Sequence, residues 1–545
     1  MMKHRFTAFA LALLPLASFA NPQIAWTDCT TDLVGPGGTA LGDRLQCGTL
    51  RAPLDHIAPD GRFFDVGVVR IRAAAADQRQ GSLFVNTGGP GAHPGRLLVA
   101  IARGWSQEDP DDPDTADKYR LAQRFDMIAV IPRGLRGGTE YRCLTGLPPR
   151  YAFLPSHLDD DNWRKVIEEA NAQSSACAAP PEARFISTEQ HVHDMDMVRR
   201  ALGDDSLNFY GISYGGRVGG WYAAMYPTRV GRMLLDSPML FTHDFRAAME
   251  MTQTARRKQF QRALAPIVAD PVLYGLPDDP SAITSSFDDL PGRTREMWYP
   301  VLDSTPRLAA ALWIAGWIRE AEPESQSKLE GRIRRQTFSA DASLDRGIRW
   351  AAMQLAAHYF APAPTVPRFD AGQDGDSVRL AVGCNDSRWA FSDDQIRARA
   401  VNGAARYLHS NGDDILEELV CSRWPHATAR LPDLTRVEQA PPFLLLQSEH
   451  DVATPAEGSR NLLDRYPNAR LLMARGSSVH GVFNFTTSQC IERTVARYLL
   501  DGSLPDSESR ESYCEGTNEN PLSALPHTPV PASTPATPAT HDEFR

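Results

Sequence analysis

Apolar and polar positions alternate along residues 63–71, the period-two pattern of a strand with one wet face. Residues 82–86, 125–131, 207–210 and 230–236 are short, nearly unbroken apolar runs, as strands covered on both faces require. A helical stretch precedes the third of these runs. Ser187 opens it, Gln190 stands in the capping-box position, and Gly203 ends it. Strands alternating with helices predict a mostly parallel α/β sheet flanked by helices. From about 241 to 439 the rhythm gives way to helical patterns, such as 307–320 and 346–358, with connectors like Pro277-Asp278-Asp279-Pro280. Strand-like runs return at 442–447 and 471–473, and 491–500 reads as a closing helix. The expected organisation is a sheet domain in two pieces, 21–240 and 440–515, with a large, mainly helical cap inserted at 241–439. Residues 516–545, rich in Pro, Thr and Ala without apolar periodicity, read as a disordered tail.

The ends and the cysteines bear on the compartment. Lys3, His4 and Arg5 precede an apolar run from 6 to 19, and Ser18-Phe19-Ala20 supplies small residues for cleavage after Ala20. This predicts a secretory signal peptide over 1–20, too short to span a membrane, and a chain exported to the periplasm or beyond. No cysteine follows Ala20 directly, so no lipid anchor is expected. Eight cysteines stand at 29, 47, 143, 177, 384, 421, 490 and 514, without a Cys-x-x-Cys pair or zinc-type spacing. An even, dispersed set in an exported chain reads as disulfides. Sequence cannot choose among the pairings; the sequential one (29–47, 143–177, 384–421, 490–514) closes the smallest loops. The net charge of −10, with no lysine- or arginine-rich block, gives no electrostatic case for nucleic acid.

Candidate chemistry centres on Gly211-Ile212-Ser213-Tyr214-Gly215, placed between an apolar run and a helical stretch. A strand, a tight turn and a helix are what a nucleophile elbow requires, and Ser213 is the candidate nucleophile. The plainer alternative is a βα turn whose serine caps the helix. A serine hydroxyl needs a base, and the base an orienting carboxylate. In the chain order Ser, acid, His, the positions after late strands fall to Asp451 and His480. Asp236, which also ends a strand, is the competing acid. His450 reads as a loop residue, and His191 and His193 as residues of a helix. His93 follows the glycine-rich loop and is a candidate for the pocket wall. An oxyanion needs two backbone N–H donors. Tyr214 is the expected first donor, and Gly89, in Gly88-Gly89-Pro90-Gly91, the second. No phosphate-loop, dinucleotide or His-Glu-x-x-His pattern occurs, so no metal or organic cofactor is expected.

With these elements located, the chain resembles the α/β-hydrolase serine peptidases of the tripeptidyl and prolyl aminopeptidase type. The resemblance runs from about 47 to 514 and is weakest in the cap. It rests on Asn86-Thr87-Gly88-Gly89-Pro90-Gly91, residues 196–203, the elbow, Leu234-Leu235-Asp236 and Cys384-Asn385-Asp386. Asp451-Val452-Ala453-Thr454-Pro455, His480-Gly481 and Cys514 complete it. It implies an α/β-hydrolase fold, with Ser213 as nucleophile, His480 as base and Asp451 as orienter. It also implies release of residues from free peptide N-termini, often near proline. Three departures lie near the pocket mouth. Ile131 and Arg136 stand where an acid and a glycine are usual, Ala92-His93-Pro94 replaces small residues, and Ser237 replaces a glycine. An aminopeptidase would need a cap carboxylate for the substrate ammonium, with Glu320, Glu322 and Glu324 as candidates. A secreted carboxylesterase or lipase is the alternative, since the same site cleaves esters; a non-catalytic protein on the same fold is the third reading.

Overall fold

The computed structural model describes residues 22–143, 145, 159–276, 290, 294, 298, 301–361, 374–406, 412–426, 429–505 and 509–517. The predicted signal peptide and all but residues 516 and 517 of the predicted tail lie outside the described residues.

Among the described residues ten strands form one sheet: β1 (Ile24–Thr27), β2 (Leu45–Pro53), β3 (Phe63–Ile71), β4 (Gly81–Asn86), β5 (Phe125–Val130), β6 (Leu207–Ile212), β7 (Val230–Asp236), β8 (Phe443–Ser448), β9 (Ala469–Arg475) and β10 (Glu511–Glu515). Their spatial order is β1-β2-β3-β5-β4-β6-β7-β8-β9-β10. The first three strands and the β3–β5 pair run antiparallel, and every pair from β5–β4 to β9–β10 is parallel. Parallel strands need both faces covered, which is why β5 and β8 are buried at every position. This is the α/β-hydrolase fold.

The strand order reverses at β4. The chain leaves β4 toward β5 on one side, while β6 lies on the other. Loops leaving β4 and β6 therefore part company and open a crevice at the C-terminal edge of the sheet. The glycine-rich loop follows β4 and the elbow follows β6, so both predicted halves of the site flank that crevice.

Local signals account for the helices on each side. Ser187 caps the helix Thr188–Ala201 by accepting from Gln190 N, and its last turn carries Arg199 and Arg200 against the negative helix end. Four disulfides join Cys29–Cys47, Cys143–Cys177, Cys384–Cys421 and Cys490–Cys514, the sequential pairing. They fit an oxidising, extracellular or periplasmic setting. Among the described residues no helix is long and apolar enough to cross a membrane.

Between β7 and β8 the described chain is helical, from Phe245–Ala269 to Gly412–Ser422. Its inner helices are bolted to the sheet domain by polar groups. Asn385 Nδ2 donates to Ala183 O (2.7 Å) and Ile186 O (3.0 Å), and Asp386 accepts from Thr188 N (3.0 Å) and from the Thr188 hydroxyl.

Candidate active site

Ser213 stands between β6 and the helix Tyr214–Met225 with φ 59° and ψ −119°, a conformation that few L residues adopt. The flanking glycines do not supply the positive φ; they supply room. A Cβ on Gly215 would come within 2.8 Å of Asn86 O, and one on Gly211 would collide with Phe209 and Gly215. The strain thus falls on the serine itself, as a turn that holds its hydroxyl above the sheet demands. Ser213 N donates to Asp236 O (2.9 Å), and Ser213 O accepts from Gly216 N and Met239 N (2.8 Å each).

The glycine-rich loop leans on this turn. Gly88 is at φ 86°, and a Cβ there would sit 3.0 Å from Ser213 Cβ and 3.3 Å from Tyr214 N. Its own N–H is committed to Asn86 Oδ1 (3.0 Å), leaving Gly89 as the next amide of the loop. Tyr214 opens its helix, so its N–H is one of those with no acceptor four residues back. Asn86 is oriented in turn by buried His191. With Oδ1 accepting from Gly88, the Asn86 amide nitrogen donates to His191 Nε2 (3.3 Å), which puts the ring proton on Nδ1. Burial pushes the His191 pKa down to about 4, so it stays neutral.

Asp451 and His480 meet. His480 Nδ1 lies 2.8 Å from Asp451 Oδ2, and the carboxylate also accepts from Ala453 N (2.8 Å) and Thr454 N (3.2 Å). The Asp451 side chain is fully buried, while His480 keeps 34% of its own exposed. Burial lowers the His480 pKa, but the charge and hydrogen bond of Asp451 outweigh it, and the net shift is upward. The base loop passes directly over the elbow: a Cβ on Gly481 would lie 3.2 Å from Ile212 Cγ2.

Asp236, the competing acid, faces the backbone after His480 and accepts from Val482 N (2.8 Å) and Phe483 N (2.9 Å). Burial lifts its pKa to about 7 against the pull of those amides. His93 is tied into the loop: Nδ1 accepts from Gly95 N (3.2 Å), so Nε2 donates to Arg136 O (3.0 Å). Arg136 N and Nε reach Asp374 of the insert (3.0 and 3.2 Å), so two of the unusual residues near the pocket mouth form one connection. His193 is half-buried against Tyr226 OH (2.5 Å), and His450 donates its backbone N–H to Ser477 O (2.9 Å). The three acidic residues named for a substrate ammonium are all exposed. Glu320 pairs with Arg332, Glu322 with the Tyr359 hydroxyl and Glu324 with Lys328, the state of a solvated face. A cleft beside the acid turn is walled by Pro238, Met239, Met249, Met251 and Thr454. Among the described residues no cluster of three or more His, Cys, Asp or Glu side chains is gathered as a metal site.

Sequence reasoning passed over Thr454, Asn86 and Arg133 as individual residues. Thr454 Oγ1 lies 2.9 Å from Asp451 Oδ2 and 2.7 Å from Ser237 O, with one proton for either. Arg133 is wholly buried and holds Asp194 through two hydrogen bonds (2.7 and 2.8 Å) while donating to Leu54 O and Pro53 O. The available signal was their place inside or beside motifs: three residues after the acid Asp451, at a strand end, and ahead of a glycine turn.

This combination of sheet, elbow and buried acid–histidine pair defines a serine hydrolase of the α/β-hydrolase fold. Residues 408–514 match the sequence model of a family described as TAP-like protein. Over 92% of its length the chain is 25% identical to the tripeptidyl aminopeptidase of Streptomyces lividans, covering 88% of that protein. It is 25% identical to serine protease Hip1 of Mycobacterium tuberculosis, over 91% of this chain and 92% of that one. Carboxylesterase B of the same organism matches at 25% identity over 91% of each chain. Its C-terminal region is thus TAP-like, and along nine-tenths of its length the chain is similar to proteins named tripeptidyl aminopeptidase, serine protease and carboxylesterase.

Proposed function

We propose that the chain is an exported serine aminopeptidase that releases short N-terminal peptides or single residues through an acyl-enzyme on Ser213. The observation that carries the chemistry is the 2.8 Å His480–Asp451 contact on a loop that crosses the strained serine turn. Asp451 holds the Nδ1 proton and leaves Nε2 free to act as base. His480 takes the hydroxyl proton of Ser213 as its oxygen attacks the scissile carbonyl, and then gives that proton to the departing amine. Water repeats the sequence to free the acyl group. The amides of Tyr214 and Gly89 would receive the oxyanion, at a helix N-terminus that favours negative charge. The preference for peptides is supported by kinship with an aminopeptidase and a protease along nine-tenths of their lengths. Export is supported by the disulfides together with the signal-like N-terminus.

A second reading, a carboxylesterase, is favoured by the equally long match to carboxylesterase B and by the solvated state of Glu320, Glu322 and Glu324. Chromogenic tripeptides ending in proline or alanine decide between them, each with a free or an acylated amine, beside a short-chain ester and a Ser213→Ala blank. The aminopeptidase reading expects strong preference for the free amine. Equal rates on both peptides, or turnover of the ester alone, would overturn it.

A further inference from the structure

Ser237 is one of the three departures from the family pattern, and it adopts φ 48° where a glycine would carry no steric cost. Strain retained at a site of this kind asks what the side chain gains. Ser237 is wholly buried just past the end of β7. Each of its polar atoms is engaged. Its N–H donates to Leu446 O (2.7 Å) and its carbonyl lies 2.7 Å from Thr454 Oγ1. Its hydroxyl accepts from Gly481 N (3.0 Å) and donates to Asp236 Oδ1 (3.1 Å).

Those partners come from the strand before the acid turn, the acid turn itself and the base loop. Leu446 belongs to the strand leading to the acid turn, Thr454 touches Asp451, and Gly481 directly follows His480. Asp236, one residue earlier, bonds Ser213 N through its carbonyl and Val482 and Phe483 through its carboxylate. Two consecutive residues thus hold the backbone of nucleophile, acid turn and base loop in one frame. The hydroxyl is the single element of that frame that glycine at this position would lack.

We propose that Ser237 is a positioning residue: its hydroxyl clamps the base loop at Gly481 and so fixes His480 relative to Ser213. This rests on the roles assigned above to Ser213, Asp451 and His480. A displaced general base costs rate without costing ground-state binding, so the effect belongs in kcat and not in KM.

Two variants of the full chain separate this from a merely structural role. Ser237→Gly removes the hydroxyl and relieves the backbone; Ser237→Ala removes the hydroxyl and keeps the strain. Each is measured for thermal midpoint, for kcat and KM on the better substrate, and for the rate of Ser213 labelling by a phosphonate. Both variants should lose about tenfold in kcat and in labelling rate, with KM unchanged, the scale of one lost hydrogen bond. The Ser237→Gly midpoint should be no lower than that of wild type, and the Ser237→Ala midpoint should be lower. Wild-type rates in Ser237→Gly, or rates that follow the thermal midpoint across the two variants, would overturn the proposal. Wild-type protein that neither labels nor turns over would instead remove the hydrolase roles themselves.

Discussion

Among the described residues, two apolar cores hold the chain together on different terms. The larger gathers both faces of the sheet, the helices Thr188–Ala201 and Tyr214–Met225, and also the inner helices of the insert, Asp374–Asp386 and Gly412–Ser422. The smaller lies among Thr305–Glu320, Gln326–Arg335 and Ala342–Phe360, filled by residues such as Ala310, Ile314, Trp317 and Phe338. All four described disulfides tie residues of the first region. Its buried charges are paired there too, as in Arg133–Asp194, Arg217–Asp386 and Lys118–Glu492. An insertion in the chain is therefore not one unit in space. Its inner helices are part of the core that carries the site, and its outer helices have a core of their own. The long helix Phe245–Ala269 joins them: Phe245 and Met249 pack on the first core, Ala263 and Ile267 on the second. Its Thr252 hydroxyl donates to Ala453 O (2.8 Å) of the acid turn.

If the chemistry belongs to the first region alone, its sharpest loss comes from the acid. Asp451→Asn should lower kcat by about 10⁴-fold, because the wrong ring tautomer of His480 then faces Ser213. Its pH profile adds a second readout. As the proposed base, His480 works only when neutral, so wild-type kcat/KM should fall as pH drops through its raised pKa. Without the Asp451 charge, the acid limb of the residual activity should move to lower pH. An unmoved limb would mean that another group titrates there.

Next in size is the buried pair beneath the site. Arg133→Ala leaves buried Asp194 without the guanidinium, with His56 Nε2 (2.7 Å) as its remaining partner, and should destabilise the first region by about 3 kcal/mol, read by urea unfolding. Burial raises the Asp194 pKa, but Arg133 and His56 outweigh it and hold the carboxylate well below its ordinary range. The sign follows from that depression. The pair's contribution is complete above the unfolded carboxylate pKa and is lost only as pH falls through the folded one. A cost below about 1 kcal/mol would show that His56 alone suffices to hold Asp194.

The legibility of the sequence follows the same division. Strand β7 and strand β3 carry their bounds in their apolar patterns, and Ser187 with Gln190 announces its helix by local chemistry. Asp451 and His480 were readable because each follows a short apolar strand late in the chain, and the structure brings them together. Strand β10, Glu-Ser-Tyr-Cys-Glu, has no such pattern; pairing with β9 and the Cys490–Cys514 bond make it a strand. The ammonium-binding candidates were chosen by residue type within a helical stretch, and helical periodicity does not say which of two cores a face will meet. The split of the insert was hidden for the same reason. Asp374–Asp386 and Thr305–Glu320 are both apolar-rich helices, and only tertiary packing sends one to the sheet and the other to the outer lobe.

The smallest effect is the most direct probe of that split. Ala311 lies fully buried within Thr305–Glu320, in the second core. Replacing it with glycine removes one methyl group and loosens the helix backbone, a cost of about 1 kcal/mol. Were the outer lobe a separate cooperative unit, its amides would exchange about fivefold faster in Ala311→Gly while those of β6, β7 and β8 kept their protection. The rate of Ser213 labelling would stay at the wild-type value, because the clamp, the acid turn and the base loop all belong to the other core. Equal acceleration of the sheet amides would mean that Phe245–Ala269 couples the two cores into one unfolding unit. The Thr252–Ala453 bond would then be the place where the outer lobe reaches the acid of the candidate site.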